Sequence, residues 1–492
     1  MNMEKRNLGL LGFFYLIAHG GILLIPNAIF WDDWVIFNNA PSIVLDQFRQ
    51  AGSMFNVTGI LHNLLLSIGP WIYKILTFVL MFGSGLILNL ILKRNAILSP
   101  GLRFAVVLLF LILPFNLARV ALIDFPYTLC YFLFFLAWSL IQRARMLALA
   151  IFFLSFNTNS LLVFYAVPMF EFMYRSVKTL DVNSILKFMI QRLDFMLLPF
   201  IYFFIKIYFY LPTGEYAGYN QNYSLLNLLS CSSIQIYDFT KMNVNLWSCT
   251  IFSILTFILI QKINVFVEVE SKNSKNFLLF SIIVLILGLF PYWIIGAAPS
   301  FFDWQSRHQL LMPLGGAFLI VWIIFMSGAW RQSFPNRLAL MSIVIGVSIT
   351  INVSTYYSYY IDWQKQINLV QMFKLNENIK RADLIIFDDR TTQYNAVNRT
   401  YRFYEWNGLL QKAFGDEKRF GMQYGEHDQF LSGQYNHFFA HSYKAGEFSK
   451  IKKFNSVLVV IDVQENQSFK EKLMSKIAPN LRIKTSPFEL TR

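Results

Sequence analysis

The sequence LGLLGFFYLIAHGGILLIPNAIF at residues 8–30, followed directly by Trp31-Asp32-Asp33-Trp34, indicates how the whole chain is organised. A helix rises about 1.5 Å per residue, so this apolar run is long enough to cross roughly 30 Å of hydrocarbon. Lys5 and Arg6 precede the run, and the positive-inside rule places them in the cytoplasm. The run lacks a small-residue cleavage site, so we expect a retained signal-anchor helix that carries the acidic pair to the outer side.

Asp32 and Asp33 are the first candidate functional residues. Carboxylates at the C-terminal end of a helix oppose the helix dipole, by roughly 0.3–1 kcal/mol each, so stability does not explain the pair. The flanking Trp31 and Trp34 are of a residue type that settles at the membrane–water boundary. We therefore predict a catalytic role for one of the two carboxylates, with a solvated helix end as the alternative interpretation.

The composition is typical of a membrane protein. Hydrophobic residues make up 56% of the 492 residues and charged residues only 14%, whereas charged residues form about a quarter of ordinary soluble domains. The apolar residues fall in blocks of about twenty, which predicts a mainly α-helical, polytopic membrane protein with about 9–11 transmembrane helices. The net charge of +14 does not indicate nucleic acid, because Lys and Arg collect in the short loops between apolar blocks.

The character of the chain changes beyond residue 360. We predict a transmembrane catalytic domain over residues 1–360 and a small soluble α/β domain over residues 361–492, on the same outer side as the acidic pair. Short strands are indicated at Leu384–Phe387 and Val457–Ile461, and a helix at Ser468–Ile477. In the membrane domain, residues 146–173 are interpreted either as two short spans or as a re-entrant hairpin.

Ionisable residues near the outer ends of the predicted spans complete the candidate site. Such residues are costly at membrane depth, so they indicate function. They are Arg119 and Asp124 before the fourth apolar block, and Arg307 and His308 before the tenth. An Arg guanidinium suits phosphate because its planar fork binds two oxygens at once and stays charged. Cations opposite paired carboxylates suggest a phosphate-bearing lipid, with a snorkelling interfacial side chain as the alternative for Arg307.

Several motifs of soluble enzymes are absent from the sequence. It has no glycine-rich phosphate loop, no Rossmann GxGxxG, no HExxH and no GxSxG. Their absence argues against a nucleotide-driven pump and against a soluble-type nucleotide-sugar transferase. Asp388-Asp389 follows the first predicted strand, and we interpret this second acidic pair as a strand-end turn.

The acidic pair in the first outer loop, the many spans and the closing outer domain resemble the GT-C class of integral membrane glycosyltransferases. Ser306-Arg307-His308-Gln309-Leu310-Leu311-Met312-Pro313 is similar to the Arg-aromatic-x-Leu-x-Pro opening of a late span in that class, with His308 in place of the aromatic residue. The size and layout are most similar to bacterial and phage O-antigen glucosyltransferases. This resemblance implies a bacterial inner-membrane enzyme with a periplasmic active site. It also implies a polyprenyl-phosphate sugar as donor and a lipid-linked or surface polysaccharide as acceptor.

The resemblance further implies roles for the candidate residues. Asp32 or Asp33 would take the proton from the acceptor hydroxyl while polyprenyl phosphate leaves. Arg307, His308 or Arg119 would stabilise the charge of the departing phosphate. We expect Asp33 or Asp32 to act as the base and Arg307 to bind the phosphate.

Cofactor and class stay open at this stage. The second outer loop offers Asp124 alone, not a two-acid motif, so no metal site is predicted and a divalent metal ion is an optional cofactor. The alternatives are a lipid-linked sugar flippase or transporter and an O-antigen polymerase or ligase. A flippase should have inverted repeats and charges at the midplane. The predicted charges gather at one face, which favours an interfacial enzyme.

Overall fold

The computed structural model describes residues 3–95, 98–177, 181–218, 223–240, 244–263, 274–301, 304–327, 334–432, 439, 443, 445–448, 455–464 and 477–488. Within these residues the protein is mainly helical and has a four-stranded sheet near its C-terminal end. In chain order the helices are α1 (Met3–His19), α2 (Asp33–Asn38), α3 (Pro41–Gln50), α4 (Val57–Ile68), α5 (Pro70–Asn95), α6 (Pro100–Ile112), α7 (Phe125–Leu140), α8 (Arg145–Ser155), α9 (Ser160–Phe164), α10 (Ala166–Ser176), α11 (Val182–Gln191), α12 (Leu193–Phe209), α13 (Leu225–Thr240), α14 (Leu246–Ile263), α15 (Ser274–Trp293), α16 (Met312–Val321), α17 (Phe334–Leu375), α18 (Glu377–Arg381), α19 (Phe403–Phe414), α20 (His427–Leu431) and α21 (Ala445–Phe448).

Among the described helices, four are long and apolar enough to cross a membrane, judged by length and composition. They cover Arg6–Leu24, Pro70–Arg94, Ser274–Trp293 and Pro335–Leu375. The bent pair α11 and α12 adds a fifth if it forms a single span. The protein therefore has the helices of a membrane protein, while the predicted total of about 9–11 spans stays a prediction. In the region interpreted as two spans or a hairpin, α8, α9 and α10 are each shorter than a full span.

The helix α17 joins the apolar part of the chain to the sheet. It contains 42 residues in one continuous helix. It packs along α14, and near its C-terminal end Leu369 and Phe373 enter a common core with the sheet. The domain boundary predicted at residue 360 falls inside this helix, so the two predicted domains are connected by regular structure and not by a loop.

The sheet has the strand order β2-β1-β3-β4. Strand β1 (Leu384–Asp389) pairs in parallel with β2 (Phe420–Gln423) and with β3 (Ser456–Val463), and β3 pairs antiparallel with β4 (Leu481–Pro487). The strands predicted at Leu384–Phe387 and Val457–Ile461 are confirmed, because they lie within β1 and β3. The helix predicted at Ser468–Ile477 lies outside the described residues except for its last position.

A buried ionic network fastens α17 to the end of β1. The Lys365 ammonium, which is fully buried, donates hydrogen bonds to Asp389 at 2.7 Å and to the Asn395 side-chain oxygen at 2.7 Å. Asp388 pairs with Arg390 at the surface, at 2.8 Å. Asp388 and Asp389 were interpreted as a turn after the strand, but they are the last two paired residues of β1, and both carboxylates bind cations of the protein itself.

The sheet and the first acidic pair share one hydrophobic core. Ile29 and Trp34, on either side of Asp32 and Asp33, pack in one cluster with Phe387 of β1 and Trp406 of α19. Burial of apolar area is worth about 25 cal/mol per Å², so large aromatic side chains dominate such a contact. The C-terminal sheet is therefore packed directly against the turn that carries the acidic pair.

Candidate active site

Asp33 is a structural carboxylate that joins two loops. Its side chain is fully buried and accepts hydrogen bonds from the backbone N–H groups of Leu122 (2.8 Å), Ile123 (2.8 Å) and Phe30 (3.2 Å). Burial raises the pKa of Asp33 to about 6, while the positive charge of Lys74 and the three backbone donors act in the opposite direction. The turn at residues 30–34 is thereby tied to the loop that precedes α7.

The loop before α7 is held in turn by the segment before α16. The Ser306 hydroxyl accepts from the backbone N–H of Ala118 at 2.7 Å, and the Gln309 side-chain oxygen accepts from the backbone N–H of Asn116 at 3.2 Å. Ser306 and Gln309 are both buried, and a buried hydrogen bond to backbone is costly to lose. Three segments that are far apart in sequence, residues 30–34, 116–124 and 304–309, therefore meet in one place.

Asp32 differs from Asp33 in exposure and in neighbours. It is half-buried, whereas Trp31 and Asp33 on either side of it are buried. Trp31 has a φ of 50°, in the left-handed region that large side chains rarely adopt and that is found most often at functional sites. The Asp32 carboxylate lies close enough to Asp124 and to Tyr404 for its charge to act on both. Of the predicted pair, Asp32 is the carboxylate with access to solvent.

Burial favours the protonated form of Asp124. Its side chain is buried, and burial raises the pKa of Asp124 to about 8, against the lowering effect of Arg307 and with added repulsion from Asp33 and Asp32. The Arg307 Nη1 lies 4.0 Å from Asp124 Oδ1. Within the part of the chain that the structure describes, Oδ1 accepts no hydrogen bond. The structure therefore brings Asp124 and Arg307 together beside Asp32.

Arg307 rests on an aromatic platform. The Arg307 guanidinium carbon lies 4.1 Å from the centroid of the Trp304 ring, and the side chain is only 14% exposed. The Arg402 guanidinium approaches the same ring, at 6.0 Å. The sequence gives no sign of this position of Arg402, because nothing in the local pattern of residues 399–406 indicates that the segment packs against Trp304.

His308 is a neutral member of the site. It lies beside the rings of Tyr292 and Trp304, at centroid distances of 5.4 and 6.5 Å. Burial and the adjacent Arg307 charge lower the pKa of His308 to about 3. The imidazole is uncharged at neutral pH, so any contribution of His308 to phosphate binding is a hydrogen bond and not a positive charge.

Arg119 has neighbours different from those of Arg307. Its Nε donates to the backbone oxygen of Asn116 at 2.9 Å, and its Nη2 donates to that of Phe115. Its charge acts on His19 and Tyr356, which are hydrogen-bonded to each other at 3.2 Å. Among the described residues, Arg119 Nη1 has no hydrogen-bond partner. The role of Arg119 as a phosphate ligand stays a prediction.

The arrangement does not form a metal site from protein ligands in the described part of the chain. There, no three side chains of His, Cys, Asp or Glu are placed so that they could hold a metal ion. Divalent cations prefer several oxygen ligands, and both carboxylate oxygens of Asp33 already accept hydrogen bonds from backbone N–H groups. What the described groups offer is a half-exposed carboxylate, a protonated carboxyl and two guanidinium groups.

The raised pKa of Asp124 leads to a prediction about stability. Between about pH 4 and pH 8 the folded protein keeps a proton on Asp124 that the unfolded chain has released, so stability falls as pH rises through this window. Asp124→Asn needs no proton and is expected to reduce the difference in melting temperature between pH 5 and pH 8. Differential scanning fluorimetry in detergent measures it, with Asp46→Asn at the exposed Asp46–Arg49 pair as control. An unchanged pH dependence in Asp124→Asn would contradict the assignment.

Comparison with known proteins does not assign the chain to a class. No family pattern matches it, and no curated protein and no solved structure is significantly similar to it. The function must therefore be argued from the residues and geometry of the site.

Proposed function

We propose that the protein is a membrane glycosyltransferase that moves a sugar, such as glucose, from a polyprenyl-phosphate carrier to a cell-surface glycan such as O-antigen. The N-terminus would be cytoplasmic, and the site with the C-terminal domain would face the periplasm of a bacterial inner membrane. The observation that carries the proposal is that Arg307, stacked on Trp304, lies 4.0 Å from Asp124, whose carboxyl also feels the charge of the half-exposed Asp32. A base and a phosphate-binding group are the two parts that such a transfer needs.

Asp32 is the better of the two predicted bases. A general base must reach the acceptor hydroxyl, and only a carboxylate that is accessible and not fully engaged can do so. Asp33 is buried and binds three backbone N–H groups, so it serves as the residue that positions Asp32. In the proposed step, Asp32 takes the proton of the acceptor hydroxyl as its oxygen forms a bond to the anomeric carbon.

Arg307 stabilises the leaving group in this proposal. The bond between the anomeric carbon and the phosphate oxygen breaks, and polyprenyl phosphate departs with the electron pair. Preorganised cations aimed at developing charge are usually the largest single contribution to such a reaction. Stacking on Trp304 holds the Arg307 guanidinium in place before the donor binds. In its protonated form, Asp124 can donate a hydrogen bond to the same phosphate without repelling it.

The proposal is tested with purified protein in proteoliposomes and a panel of labelled polyprenyl-phosphate sugars. We expect transfer to a lipid-linked glycan, and we expect Arg307→Gln to lower kcat/KM by about 100-fold, as loss of one preorganised charge does in other enzymes. Arg145→Gln removes an arginine from the exposed Arg145–Asp194 pair and is the matched control, with an expected change below about twofold.

The outcome also separates the alternative classes. Movement of labelled donor across the bilayer without formation of a new glycosidic bond would favour a flippase. Equal activity of Arg307→Gln and the unmodified protein would remove Arg307 from the phosphate site.

A further inference from the structure

We propose that the first turn of α19 is part of the site, with Tyr404 as a positioning residue for Asp32 and Arg402 as a second ligand for the phosphate group. The inference rests on the proposed function and deepens it. It makes the C-terminal domain a component of the site.

Close packing fixes α19 against the turn that carries Asp32. Gly408 lies so near Trp34 that a Cβ atom at position 408 would be 2.4 Å from a carbon of the indole ring. Val35 shares a second cluster with Phe403 and Tyr404. Cores of this density do not allow one element to slide past another. The first turn of α19 is therefore held at a set distance from Asp32.

Tyr404 places a hydroxyl beside the Asp32 carboxylate. Its ring is buried, 4% exposed, and burial together with the neighbouring Asp32 carboxylate raises the pKa of Tyr404. A half-exposed aspartate has several accessible rotamers, and a donor fixed in a packed helix selects one of them. Asp33, Asp124 and Tyr443 also lie near Asp32, and Tyr404 is the neighbour that we assign as the donor to its carboxylate.

Arg402 brings a second cation to the Trp304 platform. The Arg402 and Arg307 guanidinium carbons lie 6.0 and 4.1 Å from the centroid of the same ring, so they cannot be farther apart than the sum of these distances. Two like charges this close repel each other, and an anion bound between them relieves the repulsion. Because Arg402 is exposed and Arg307 is mostly buried, the anion would enter from the solvent side.

The chemistry of the leaving group explains the use of two arginines. A phosphodiester donor carries one negative charge, and the phosphomonoester that leaves carries up to about two at neutral pH. A cation that meets the additional charge acts on the transition state more than on the bound donor. We therefore expect Arg402 to affect kcat more strongly than the KM of the donor.

The test uses the full chain in proteoliposomes with polyprenyl-phosphate sugar. Arg402→Gln is expected to lower kcat about 10- to 100-fold with less than about a threefold change in donor KM. Tyr404→Phe keeps the ring and is expected to lower kcat several-fold. Carbodiimide labelling of Asp32, followed by mass spectrometry over a pH series, gives a readout independent of activity. Loss of a donor destabilises the carboxylate, so the labelling midpoint in Tyr404→Phe should move to higher pH.

Matched controls come from the same segment. Tyr401→Phe removes a hydroxyl that donates to Asp362 and not to Asp32, and it should lower stability without moving the labelling midpoint. Arg390→Gln removes an exposed arginine paired with Asp388 and should leave kcat unchanged. An unmoved midpoint in Tyr404→Phe would overturn the role of Tyr404.

Binding measurements with three phosphate compounds show which anion the site retains, and they test Arg402 independently of sugar transfer. Native mass spectrometry with polyprenyl phosphate, phosphatidylglycerol and inorganic phosphate should show that Arg402→Gln weakens retention of polyprenyl phosphate, while the other two bind weakly to both proteins. Equal retention of polyprenyl phosphate by both proteins would overturn the role of Arg402. If the unmodified protein transfers no sugar, the proposed function fails, and the labelling and binding results still decide these two roles.

Discussion

Asp32→Asn is expected to lower the rate of sugar transfer by at least about 100-fold, the usual contribution of a general base. The asparagine amide has nearly the same shape as the carboxylate but cannot accept the proton of the acceptor hydroxyl. Because Asp32 is half-buried and lies outside the backbone contacts of Asp33, we expect the melting temperature to change little. Initial rates in proteoliposomes and thermal unfolding in detergent measure the two quantities.

Asp33→Asn is the control for Asp32→Asn, because it changes the neighbouring carboxylate in the same way. Its amide nitrogen cannot accept from the backbone N–H groups that Asp33 now binds, and an unsatisfied buried donor costs about 1–3 kcal/mol. Asp33→Asn should therefore lower the melting temperature first and the activity as a consequence. Full activity in Asp32→Asn, or an Asp33→Asn protein that is fully stable but inactive, would show that the roles of the two residues have been exchanged.

The largest expected effect on stability comes from Lys365→Met. The Lys365 ammonium is fully buried, and the Asp389 carboxylate that it binds is 7% exposed. Removing one partner of a buried ion pair leaves an uncompensated charge, at a cost of about 3 kcal/mol or more. Methionine has a similar length, so the loss comes from charge and hydrogen bonds more than from packing. The change in the free energy of unfolding is measured by denaturant titration in detergent, with a spectroscopic signal that reports on the C-terminal domain.

Two variants check the cause of that loss. Lys365→Met combined with Asp389→Leu removes both charges and should recover a large part of the stability, because neither partner is then buried alone. Arg390→Gln at the neighbouring surface pair should cost less than about 1 kcal/mol. If Lys365→Met unfolds at the same denaturant concentration as Arg390→Gln, the network does not hold the sheet to α17.

Local patterns in the sequence predicted the elements of the fold better than their connections. The strands at Leu384–Phe387 and Val457–Ile461 could be predicted, because hydrophobic periodicity is a property of neighbouring residues. The span predicted over residues 8–30 was wrong at its C-terminal end: the helical part ends at Leu24, and Asp33 begins α2, where a carboxylate is favoured by the helix dipole instead of opposed by it. The continuation of α17 past residue 360 was missed, since its polar C-terminal part follows no membrane pattern. Its polar side chains are buried by the sheet, which local sequence does not reveal.

The sequence indicated some of the residues that come together at the candidate site, but not their division of roles. Asp32, Asp124 and Arg307 come together as expected from their positions at the ends of apolar runs. The difference between Asp32 and Asp33 depends on the backbone of residues 122 and 123, which only the fold brings near. The neutrality of His308 likewise depends on burial, which the sequence does not give at a single position.

The length of α17 sets a scale for the whole protein. Its 42 residues extend about 60 Å, roughly twice the thickness of the hydrocarbon layer. The Lys365–Asp389 network and the shared aromatic core join the C-terminal end of α17 to the sheet. The helix therefore sets the distance between the sheet and the N-terminal end of α17. If the proposed topology holds, α17 fixes the distance between the C-terminal sheet and the membrane surface, and this distance would limit which glycans can reach the site.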